Sequence, residues 1–148
     1  MISPESLRRY PLFADMSEEH LKTLAMNASE EIIPEGTQMF GEGDTAEYFN
    51  IIVKGEVDIQ YLLGDEHRQT VDTLTAGDPL CWSALVDPYK TSAFGTANKE
   101  THLIRIKAEA MREMCEKDPM LGYRVMKRIA RLLGDRLQNA RVQLATLD

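Results

Sequence analysis

The rhythm of apolar and polar positions changes along the chain. Two helix starts come first. Ser3 followed by Pro4 is an N-cap with proline at the first helical position, and Ser17 followed by Glu18 and Glu19 puts acids at the positive end of a helix with the apolar face Leu21, Leu24 and Ala25. From residue 29 to residue 107 the pattern is short β-like runs broken by glycine, among them YFNIIVKGEVDIQYLL, RQTVDTLTAGD and THLIRIK. Turn residues recur about every eight to twelve positions, the spacing of a sandwich, jelly roll or small barrel rather than of βαβ units. The expected fold is therefore mainly β with flanking helices. It is an antiparallel β-roll (double-stranded β-helix or jelly roll) in a single domain over 1–148, with N-terminal helices over 1–28, the roll over 29–107 and C-terminal helices over 108–148. Gly55 falls where a hairpin between IIVK and EVDI would reverse, and Gly64 with Asp65 where the next would turn.

After Lys107 a helical pattern returns in AEAMREMCEKD, and Asp118 with Pro119 marks another capped start. Met126, Ala130, Leu133, Leu137, Ala140, Leu144 and Leu147 then follow in alternating steps of four and three. Such a stripe suits a helix packed on its own roll, and it also suits an a/d seam of about three heptads. Because the stripe runs to the end of the chain on a small body, it favours a homodimer through the C-terminal helix.

At 148 residues the chain is long enough for one good core. No apolar run approaches the roughly 18 residues of a membrane span, and MISPESLRRYPLF lacks the basic and apolar segments of a secretory signal. A cytoplasmic protein without a membrane partner is expected. Cys81 and Cys115 form no CxxC pair, and His20, His67 and His102 lack a partner at i+2 or i+4, so neither a disulfide framework nor a metal site is expected. Residues 121–148 hold six basic and two acidic side chains, a local +4, so the net −7 leaves −11 on the remainder. An acidic body carries a basic tail.

Candidate chemistry concentrates in AGDPLCWSALVDPYKTSAFGTA, laid out as a glycine turn, a short helix beginning near Leu80, a proline loop read as an ordinary turn, and a strand. Together with LFADMSEEHLKTLA and EGTQMFGEGDTAEYFNIIVKGEVDI, over nearly the whole chain, this resembles the cyclic nucleotide-binding domain of the catabolite activator protein (Crp/Fnr) family, standing alone. Gly36, Gly43, Gly55 and Gly77 fall where that family uses glycine, which implies tight turns with positive φ. The resemblance implies a phosphate cassette formed by Gly77, Asp78, Leu80, Cys81, Trp82, Ser83, Ala84, Lys90, Thr91 and Ser92. Trp82 stands where the family places a glutamate for the ribose hydroxyl, Thr91 where it places an arginine for the phosphate, and Ser92 at the small hydroxyl that follows. An arginine makes charge-assisted bonds of ~1.5–3 kcal/mol each, and threonine offers one neutral bond. Lys90 substitutes for the arginine only from a loop, since a strand would turn it to the opposite face. Amides near Ser83 and Ala84 remain as an anion cradle, and Arg128 and Arg131 of the final helix are further candidate ligand contacts.

The implied function is a non-enzymatic sensor that binds a cyclic nucleotide weakly, or a different small anion, and signals through its C-terminal helix. No other cofactor is implied. The alternative is a ligand-free module that dimerises or docks on a partner protein. A cupin-like metalloenzyme is disfavoured because the histidines are not grouped, and direct DNA binding because the basic residues are spread along the helix rather than set in a recognition module.

Overall fold

The computed structural model describes residues 2–64 and 67–147. The chain divides into two units, Met1–Arg112 and Glu113–Asp148.

In the first unit, α1 (Pro4–Arg8), a 3-10 turn (Pro11–Phe13) and α2 (Glu18–Met26) precede the strands. The expected caps form. The Ser3 hydroxyl accepts from the Ser6 amide at 3.2 Å and the Ser17 hydroxyl from the His20 amide at 3.1 Å. Leu21 and Leu24 are fully buried, as the apolar face predicts. Eight strands follow: β1 (Ala28–Ile33), β2 (Gln38–Phe40), β3 (Tyr48–Lys54), β4 (Val57–Leu63), β5 (His67–Leu74), β6 (Pro79–Leu80), β7 (Phe94–Ala97) and β8 (Thr101–Lys107). They form two antiparallel sheets of order β1-β8-β3-β6 and β2-β7-β4-β5, the β-roll that the glycine rhythm predicts. Ile52, Val57, Leu74, Leu80 and Leu103 form one core cluster. Phe13 meets Phe49 edge to face at 6.4 Å, both fully buried, each side chain contributing about 1.5–3 kcal/mol by burial alone.

Gly55 does not reverse a hairpin. β3 and β4 belong to different sheets, so the chain crosses between the layers there, with φ at 108°. A Cβ on Gly55 would lie 2.5 Å from the Thr101 hydroxyl and 2.6 Å from the Glu100 carbonyl oxygen. The position needs glycine for both its backbone angle and its space. The next expected hairpin does form, since Leu63 pairs with His67 across β4 and β5, with Gly64 at φ 55°. Asp65 lies outside the described residues.

Helix α3 (Ala108–Lys117) spans the boundary between the units, and α4 (Pro119–Ala145) fills most of the second. The Asp118 carboxylate caps α4 by accepting from the Leu121 amide at 3.2 Å. Gly122 lets α4 approach α3, because a Cβ there would lie 2.7 Å from the Cys115 carbonyl oxygen. The buried positions of α4 are Leu121, Val125 and Ile129. The four-three stripe is a different face. Met126, Leu137 and Leu144 are exposed, and Leu147 lies beyond the helix end.

Candidate functional site

The cassette begins where Gly77, at φ 93°, turns the chain from β5 into β6. The Gly77 amide donates to the Ile52 carbonyl at 2.7 Å and the Ile52 amide to the Asp78 carbonyl at 3.1 Å, so the turn is held by β3. The Asp78 carboxylate accepts from the Thr75 amide at 2.8 Å and is spent on that turn.

Leu80 does not open a helix. It closes β6 and is buried, and the helical piece is a 3-10 turn over Trp82–Ala84. Cys81 precedes it in the left-handed region, φ 67°, which for a residue with a Cβ costs about 1–2 kcal/mol. Burial pushes the Cys81 thiol up to about 12, against the smaller lowering effects of a hydrogen bond with Asn50 and the charge of Arg105. That thiol is a small packing group rather than a nucleophile.

Of the two amides singled out for an anion, Ala84 N–H is taken, since it donates to the Cys81 carbonyl at 3.0 Å. The amides of Leu85 and Val86 are likewise used, by Trp82 and Ser83 carbonyls at 3.0 and 3.3 Å. Trp82 and Ser83 open the turn, and a turn has no acceptor of its own for its first amides. The turn's own bonds thus leave Trp82 and Ser83, rather than Ala84, as the amides without an acceptor inside the turn. Trp82 is half-buried and Ser83 is buried.

The loop that follows is not an ordinary turn. Its Asp87-Pro88 bond is cis, and Tyr89 has φ 60°. Strand β7 begins only at Phe94, so Lys90, Thr91 and Ser92 precede it, and Lys90 pairs with Thr45 in an isolated bridge. Lys90 and Ser92 are exposed. Thr91, in the place of the family arginine, is buried, and its hydroxyl donates to the Gly41 carbonyl while accepting from the Asp44 amide at 3.1 Å. The Gly43 amide donates to the Thr91 carbonyl and the Thr91 amide to the Asp44 carbonyl, each at 2.8 Å. Thr91 stitches the end of the cassette to the loop between β2 and β3, and its paired donation and acceptance through the hydroxyl are what an arginine side chain would not reproduce.

One residue absent from the sequence reading touches the cassette directly. Arg112 of α3 donates from Nε to the Ala84 carbonyl at 2.8 Å and from an Nη to the Ala46 carbonyl at 3.2 Å, with its guanidinium 3.8 Å from the centre of the Tyr89 ring. Its partners lie 28 and 66 residues away, so no local pattern could have marked it. Arg128 and Arg131 belong to α4 in the second unit, half-buried and exposed respectively. Among the described residues, no group of three or more His, Cys, Asp or Glu could hold a metal ion, and no helix is long and apolar enough to cross a membrane.

The sequence model of the cyclic nucleotide-binding domain family matches residues 30–118, from β1 through the cassette to the cap of α4. Among solved structures, the chain is 31% identical to a protein of Geobacter metallireducens assigned as a cyclic nucleotide-binding protein, with a TM-score of 0.84 over 93% of this chain and 99% of that one. It is 26% identical to a cyclic nucleotide-binding domain of Methylobacillus flagellatus, with a TM-score of 0.77 over 97% of this chain and 82% of that one. Among curated proteins, it is 24% identical over 128 residues to an uncharacterized NTE family protein of Mycobacterium bovis, covering 86% of this chain and 21% of that one. It thus spans about a fifth of the length of that relative. The matched segment covers more than half the chain and runs from within β1 through the whole cassette and β8: the chain belongs to the cyclic nucleotide-binding domain family.

Proposed function

We propose that this chain is a non-enzymatic regulatory sensor whose cassette binds a cyclic nucleotide weakly, or another small anion in its place, and which signals through its C-terminal helix as a homodimer in the cytoplasm. The observation that carries the reading is the cassette itself. Its backbone is built as a cradle by the turn at Gly77 and the 3-10 turn at Trp82–Ala84, while the two charged side chains the family would supply are replaced by Trp82 and Thr91. Amide donors at a helical start favour an anion without any side-chain charge. Neither a half-buried indole nor a hydroxyl already bound to Gly41 and Asp44 can neutralise a phosphate.

Thermal shift against cyclic AMP, cyclic GMP, cyclic dinucleotides and simple anions tests this. A ligand present at 100 times its dissociation constant adds about 2.7 kcal/mol of stability. The expected outcome is a small shift for cyclic AMP. Submicromolar binding of cyclic AMP by titration calorimetry would overturn the weak-binding reading.

The same spent Thr91 hydroxyl supports a second reading, a module that has lost its ligand and serves to dimerise or dock on a partner protein. Trp82→Glu with Thr91→Arg separates the two. Under the sensor reading the pair binds cyclic AMP more tightly than either single variant, with lower stability wherever Thr91 is lost; under the second reading no variant binds.

A further inference from the structure

We infer that Arg112 is the positioning residue of the cassette: it holds the loop after the 3-10 turn in one conformation without any ligand, and so makes the cradle's readiness depend on where α3 lies. Three points of the first unit meet its guanidinium. Ala84 ends the 3-10 turn, Ala46 lies just ahead of β3, and Tyr89 lies in the loop that follows Ala84. The Ala84 carbonyl is at the negative end of the turn, where a cation is favoured. Tyr89 is further held because its carbonyl accepts from the Ala46 amide at 2.8 Å and its own amide donates to the Val86 carbonyl at 2.9 Å. The two carbonyls Arg112 binds thus belong to two segments, the β2–β3 connection and the cassette, that are already stitched together at Tyr89. A flat cation with forked donors can bind both carbonyls while lying against the ring.

Lysine cannot reproduce this. Its ammonium is a point charge on a flexible stem, able to bond one carbonyl but not to span two while stacking on an aromatic face. Arg112 also lies on the helix that runs to Lys117 and meets the Asp118 cap of α4. Movement of α3 therefore has to break or keep these bonds, and any ligand that favours the ordered loop favours the Arg112-bound position of α3 by the same free energy. This last step rests on the sensor reading; the ordering of the loop by Arg112 does not.

Hydrogen exchange on the intact chain tests the ordering directly. In Arg112→Lys, the amides of Leu85, Val86 and Tyr89, which bond within this loop, should exchange about tenfold faster or more, while the Gly77 amide bonded to β3 stays at the wild-type rate. Tyr89→Leu, which removes the stacking platform, should give a smaller increase at the same amides, and Tyr89→Phe, which keeps the ring, should match wild type. If Arg112→Ala fails to fold, these milder variants still decide. Unchanged loop rates in Arg112→Lys, or rates that rise equally at Gly77, would overturn the assignment. Cyclic AMP is then added to wild type. If it protects the loop amides in wild type and less in Arg112→Lys, the coupling holds. Equal protection in the two proteins removes the coupling, whereas no protection in wild type counts against the sensor reading and leaves the role of Arg112 to the ligand-free rates.

Discussion

At the scale of single residues, the cassette is held by side chains whose polar groups are used in internal bonds. Thr91 is the clearest case, with a buried hydroxyl that both donates and accepts. Thr91→Val keeps the shape but removes the hydroxyl's bonds, leaving the Gly41 carbonyl and the Asp44 amide only their mutual bond of 3.3 Å, so it should lose about 1 kcal/mol in chemical denaturation, while Thr91→Ser should stay closer to wild type. Asn50 poses the opposite problem, because it is buried with an amide oxygen that has no hydrogen-bond partner. Cys81 beside it sets a pH dependence. Its thiol is raised from 9.0 to about 12 in the folded state, so the folded protein retains a proton that the unfolded chain gives up. The thiol's contribution to stability is complete below pH 9 and declines as pH rises from there towards 12. Denaturation midpoints followed across that window should fall, and Cys81→Ala should flatten the fall.

At the scale of elements, α4 carries one apolar face that is covered and one that is not. Along α4, Leu121, Val125 and Ile129 are buried, whereas Leu137 and Leu144 are 52% and 68% exposed. The helix thus carries two apolar stripes, and the four-three spacing marked only the one running from Met126 to Leu147. Val125→Ala or Ile129→Ala should cost about 1–4 kcal/mol of stability, because each removes buried methyl groups. Under the proposed dimer, Leu137→Asp should instead yield a folded monomer, since a charge in an apolar seam carries a desolvation cost of several kcal/mol. Light scattering checks this, and a wild type that is monomeric at tens of micromolar would remove the dimer from the proposal.

At the scale of the whole molecule, the acidic remainder and basic tail differ in sign, −11 against +4. Long-range attraction between exposed charges fades beyond a Debye length of about 8–10 Å at physiological salt. Dimerisation through an apolar stripe should therefore survive 0.5 M salt, whereas docking through the basic face of α4 on an acidic partner should weaken sharply. Sedimentation at low and high salt separates the two modes.

The order of helices, the β-roll, the three N-caps at Ser3, Ser17 and Asp118, and the positive φ of Gly36, Gly43, Gly55 and Gly77 were all legible in the sequence. Each depends on a residue and its near neighbours. A serine before proline, an alternating apolar run or a glycine in a turn carries its own conformational preference. Tertiary structure decided what depends on partners far along the chain. It placed β3 and β4 in different sheets, turned Thr91 onto the loop at Gly41 and Asp44, and brought Arg112 to carbonyls 28 and 66 residues away. It also reduced the expected helix at Leu80 to a 3-10 turn, because the ladder of β6 with β3 holds Leu80 opposite Asn50 and postpones the helical start to Trp82. A hydrogen bond across such separations leaves no periodicity to read, since its geometry exists only after both sheets have formed around the core.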